Sequence, residues 1–228
     1  MSLIFLQRIF TLIIPFWFSL IYSIGILIVY FKKRNFLKKA ISIGIAFFIF
    51  LFLAIGIFQS ISTYYAWKAD PIMKYSIPPI NPDYFYGYCF FHYFFSFFIS
   101  LGAAIFLGLI FFIFKKKNYV DFNEVLLVIL GTIIVGSPNF IIFLGLNFLI
   151  AIFFGLWQNY ISPVEEFRKD FSKEKSNSRS YSKFLYGVKG VKIKARISLT
   201  LPMIISLLIT ILTGNIISNL TGLSVLRI

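Results

Sequence analysis

Residues 40–63 read AISIGIAFFIFLFLAIGIFQSIST, 24 positions without a charged side chain. At about 1.5 Å of rise per residue, such a run is long enough as a helix to cross the ~30 Å hydrocarbon core of a bilayer. Apolar residues occupy every face of that helix, so it has no side suited to water. A spanning β-strand would instead show segments of ~10 residues alternating in polarity, and this run does not alternate.

Working outward, comparable runs occupy residues 9–31, 85–114, 140–160 and 197–217, with a shorter one at 122–136. The pattern predicts an all-α, polytopic transmembrane helical bundle of six spans, a single integral membrane domain over residues 1–228 with a polar loop at about 161–196. The fourth run reaches only about 22 Å as a helix, and Gly136-Ser137-Pro138-Asn139 makes a tight turn into the fifth. Four spans plus a re-entrant helical hairpin is therefore the alternative architecture.

Composition agrees: 59% of residues are hydrophobic, 13% are charged and the mean hydropathy is +0.89, too apolar for an ordinary soluble core. The formal charge of +14 would suggest nucleic acid in a soluble protein. Here the charge lies between the apolar runs, so the expected partners are the bilayer and its anionic headgroups, with no nucleic acid. Cys89 is the one cysteine and His92 the one histidine, which leaves no Cys/His set for zinc and no intramolecular disulfide. No metal and no cofactor is expected. The stretch after Arg8 is too long for a signal-peptide core and lacks a small-x-small cleavage site, so it reads as a retained span.

Eighteen of the 22 Lys and Arg residues fall in alternate loops: Lys32, Lys33, Arg34, Lys38 and Lys39; Lys115, Lys116 and Lys117; and ten between Arg168 and Arg196. The positive-inside rule then predicts a multi-pass protein of a bacterial-type cytoplasmic (inner) membrane, its basic loops cytoplasmic and both termini outside. The outer loop, about 64–84, is flanked by Tyr64, Tyr65, Trp67, Tyr84, Tyr86 and Tyr88, rings that settle at headgroup level. Its four prolines, Pro71, Pro78, Pro79 and Pro82, favour an ordered extended cap. In the polar loop, Ser162-Pro163-Val164-Glu165 predicts a short helix to about Lys175. Lys189, Lys192, Lys194 and Arg196 crowd the last span, placed to contact anionic lipid.

Ionisable residues inside a membrane are the default functional candidates. His92, in Phe90-Phe91-His92-Tyr93-Phe94, reads as a hydrogen-bonded structural residue. Asp121 and Glu124, three apart at the head of the fourth run, share a helix face and form the candidate acid/base pair. The same four residues, Asp121-Phe122-Asn123-Glu124, also spell a capping box at a helix N-terminus.

The stretch Lys115-Lys116-Lys117-Asn118-Tyr119-Val120-Asp121, with the apolar residues from Val125 to Gly131 after it, resembles the G-x-G-D segment and following helix of the type IV prepilin peptidases. Lys194 to Pro202, followed by an apolar span and Gly214, is similar to that family's closing segment. The resemblance covers roughly half of the chain. It implies an intramembrane aspartyl protease with Asp121, joined by Glu124, as catalytic residues. Asn118 or Tyr119, and Val120, stand where the family has its two glycines, and residues 29–39 hold no acid to serve as the second aspartate. The residues themselves favour a non-catalytic scaffold or assembly subunit with a membrane-protein partner. Polar groups are scarce in the spans, and Gly102, Ala103, Ala104 and Gly108 permit close helix packing. A small-molecule transporter is the third reading, from Pro15, Pro138, Pro202 and Asn147.

Overall fold

A computed structural model describes residues 13–117, 119–156 and 198–221. Every regular element among them is helical. In chain order these are α1 (Ile14–Lys32), α2 (Leu37–Ala69), α3 (Pro82–Cys89), α4 (Phe95–Lys116), α5 (Phe122–Val135), α6 (Asn139–Leu156) and α7 (Thr200–Leu220). A π-helical turn, Phe90–Phe94, joins α3 to α4, so Pro82–Lys116 runs as one 35-residue helix. The all-α transmembrane bundle is what the structure has: five helices are long and apolar enough to cross a membrane, and α5 is the short sixth. The expected helix from Pro163 to Lys175, and the expected lipid contacts Lys189, Lys192, Lys194 and Arg196, lie outside the described residues.

The helix ends follow local chemistry. Pro82 opens α3, where its missing N–H costs nothing, and Asn81 Oδ1 accepts from Tyr84 N at 3.3 Å as its cap. Gly136 closes α5 at φ 69°, a left-handed conformation that a side chain resists. None of Pro15, Pro138 and Pro202, the prolines behind the transporter reading, interrupts a described helix. Pro15 lies in the first turn of α1, Pro138 in the turn before α6, and Pro202 in the first turn of α7.

Helix lengths are unequal, and this shapes the molecule. The 14 residues of α5 rise about 21 Å, whereas the 33 of α2 rise about 50 Å. As the hub, α5 packs against α2, α4, α6 and α7, and nine of its residues are buried. Close approach depends on small residues. A methyl group at Gly108 would lie 2.8 Å from Ile129, and one at Gly131 would lie 2.5 Å from the fully buried Phe143. Where α5 stops, α2 and the π turn close over it, with Gly56 against Phe94 and a hydrogen bond joining Thr63 to Tyr93.

Above that closure, α2 stays helical from Thr63 to Ala69, because Trp67 packs on Phe85 and Tyr88. Ile77 tucks beneath with Phe85 and Cys89, so the loop is an ordered cap and Cys89 is a buried apolar residue. About 45 Å of helix separates Lys38 from Lys68 on α2, the headgroup-to-headgroup thickness of a bilayer. Large apolar side chains such as Ile43, Phe50, Phe106, Leu109, Leu149 and Phe153 are exposed along the intervening faces. These faces suit lipid, and the chain is a multi-pass membrane protein by the length and composition of its helices.

Candidate functional site

The candidate acids lie where α5 begins, at the lysine-rich end. Asp121 is the N-cap of α5 and Glu124 its third residue, and they form a reciprocal capping pair. Asp121 accepts from the Glu124 N–H, and Glu124 Oε2 accepts from the Asp121 N–H at 2.7 Å. Glu124 is 1% exposed. Its other oxygen reaches across the bundle. Oε1 accepts from Leu199 N at 2.6 Å and from the hydroxyls of Ser198 at 3.3 Å and Thr200 at 3.4 Å.

Leu199 is the N-cap of α7 and has no side-chain acceptor of its own for the first-turn amides. One carboxyl group thus accepts the N-cap amides of two helices that start far apart in sequence, and both positive dipole ends converge on it. The arrangement holds the two helix starts together. As chemistry, it surrounds Glu124 with donors from its own chain.

Other sequence candidates sit elsewhere. His92 lies exposed on the π turn and stacks on Tyr88 with ring centroids 4.1 Å apart, in the far aromatic layer. Among the described residues the remaining carboxyls are Asp70 and Asp83, both at the far end of the bundle. Asp70 ends α2, and the N–H groups of Met73 and Ile72 donate to it at 3.0 Å and 2.8 Å. Those two bonds hold its carboxyl below the usual carboxylate range. No group of three His, Cys, Asp or Glu able to hold a metal occurs among the described residues.

Two clefts open about 20 Å from Glu124, at the tip of α5. One, of about 250 Å³, is lined by Pro15, Ser19, Phe52, Asn139, Thr210 and Asn215 among others. The second, of about 170 Å³, lies under the π turn between Tyr93, Ser96, Ser100 and Gly136. Asn139 Nδ2 donates to Asn215 at 3.2 Å. The buried oxygens Asn139 Oδ1, Asn147 Oδ1 and Ser218 Oγ have no hydrogen-bond partner among the described residues. These clefts were not foreseeable from sequence, since five helices contribute to the larger one. The clue available was the i, i+4 series Ser206, Thr210, Gly214 and Ser218, which marks a small, polar stripe on α7.

No protein-family model, curated protein or solved structure matches the chain.

Proposed function

We propose that this chain is a non-catalytic membrane subunit that acts by assembling with other membrane proteins, its lysine-rich loops in the cytoplasm. Glu124 carries the reading. The buried carboxyl of the helical body is engaged by two backbone amides and two hydroxyls of its own chain, in the work of joining α5 to α7. Outward-facing small residues supply sites of approach. Gly102 on α4 and Gly145 on α6 are exposed with open space around the Cα, notches in faces otherwise built of Phe, Ile and Leu. Ala104 and Gly108, by contrast, are buried within the chain.

Cysteine placed at Gly102 or Gly145 in a Cys89→Ser background tests this. Cross-linking in native membranes should give discrete higher-mass species through at least one position. A protein that stays monomeric when purified, and that cross-links to nothing from either position, sinks the proposal.

Transport is a second reading, supported by the cleft of about 250 Å³ and its amide and hydroxyl lining. Peptide hydrolysis by Asp121 and Glu124, as the prepilin-peptidase resemblance implies, would require Glu124 to exchange its protein donors for substrate. Asp121→Asn at unchanged protein level should leave processing of a co-expressed prepilin unaltered. Loss of processing would restore the enzyme reading.

A further inference from the structure

We propose that Lys38 and Lys115 form a headgroup site for an anionic phospholipid around Phe122. Lys38 comes from the first turn of α2 and Lys115 from the last turn of α4, yet both ammonium groups lie over the same ring, at 4.7 Å and 4.6 Å from its centroid. Lys115 also lies 5.4 Å from the Phe112 ring. Each ammonium is thereby held on an aromatic surface, as suits a lysine at a membrane interface.

The two like charges repel, and the N-terminus of α5, of which Phe122 is the first residue, adds positive potential at the same place. The two acids of that turn take part in the capping pair. A phosphodiester placed here carries one negative charge and two free oxygens to meet the two ammonium groups. Lysine's compact point charge needs no fixed fork geometry for this. Phe36 and Phe112, both exposed at this end, offer apolar surface where the glycerol and upper acyl chain of a lipid would lie, which free phosphate cannot use. The source of the phosphate is therefore a lipid.

Native mass spectrometry of the purified full chain in neutral detergent tests the site, with phosphatidylglycerol, phosphatidylcholine and inorganic phosphate as probes. Phosphatidylglycerol should bind in preference to phosphatidylcholine, and the Lys38→Gln/Lys115→Gln double variant should weaken it by about 10- to 30-fold. The charge-matched control Lys39→Gln/Lys117→Gln removes two lysines from the same loops and should stay within about twofold of the parent. Lys38→Arg/Lys115→Arg should retain binding, which separates a lost site from a lost fold. Equal losses in the two glutamine variants would mean diffuse charge attraction and would overturn the proposal. So would equal binding of phosphatidylcholine, or displacement of phosphatidylglycerol by millimolar phosphate.

Discussion

Replacing Glu124 with alanine should cost far more than a surface carboxylate would, and the structure gives the scale. Truncation leaves the N–H groups of Asp121 and Leu199 without their acceptor in a part-buried setting, at about 1–3 kcal/mol each. The hydroxyls of Ser198 and Thr200 lie at the long end of hydrogen-bond range and add little. The sum, roughly 2–6 kcal/mol, is a large share of the ~5–15 kcal/mol that holds an ordinary domain together. Glu124→Gln keeps one carbonyl oxygen but turns an NH₂ toward a donor, so about 1–2 kcal/mol should be lost. The measurement is an SDS titration of the purified protein in mixed micelles, followed by tryptophan fluorescence. The order should be parent, then Glu124→Gln, then Glu124→Ala, with Thr200→Val within about 1 kcal/mol of the parent. An alanine variant within about 0.5 kcal/mol of the parent, the range of an ordinary surface substitution, would show that the carboxyl does not couple α5 to α7.

Further outcomes follow from the packing. Gly131→Ala should destabilise by about 1–3 kcal/mol, read in the same titration, because the added methyl meets the enclosed Phe143 ring. Asn147→Leu should be neutral or stabilising by about 1 kcal/mol, since it removes a buried oxygen without a partner among the described residues. A clear destabilisation would mean that this oxygen has one. Asp70 has a folded pKa below its unfolded value, so its contribution is complete above the unfolded pKa and is lost as pH falls through the folded one. Melting curves of the parent and Asp70→Asn should therefore differ at pH ~7 and converge at the acid end, near and below pH ~3.

Some of this was legible because the physics is local. Acid-free runs of the length a bilayer demands identify α1, α2, α4, α6 and α7, and the Asp121/Glu124 capping pair is written in four consecutive residues. The extension of α2 through Trp67 was not legible, since residues 64–69 read as a polar aromatic flank until Phe85 and Tyr88 are there to pack on them. The π turn has no signature in Phe90-Phe91-His92-Tyr93-Phe94. Nor could sequence say where the second oxygen of Glu124 goes. A hint existed in Ser198-Leu199-Thr200-Leu201-Pro202, a helix start with no acid of its own near the N-cap. The small residues of α4 show the same division: Ala104 and Gly108 turn inward and Gly102 outward, a choice made by where α5 lies.

The position of α5 ties these observations together. A helix of about 21 Å cannot carry its own ends to both headgroup layers, and both of its ends find partners in the protein. At its start this is done with a charged side chain, Glu124, which serves α7 as well. At its end Gly136 turns the chain back, the amide of Phe140 donates to the Gly136 carbonyl at 3.0 Å, and Ser100 of α4 stands close by. Both clefts fall at this level, at the tip of the α5–α6 hairpin, together with the Asn139 oxygen that has no partner among the described residues. The lysine end is thus the fixed end of the bundle, where two helix starts are locked by one carboxyl group. At the opposite end of α5, the buried Asn139 Oδ1 has no partner among the described residues. Assembly through the outward faces leaves both ends intact. Transport would have to work at the second end, and so any loss of function from substitutions at Asn139, Thr210 or Asn215, with the outward glycines untouched, would favour transport over assembly.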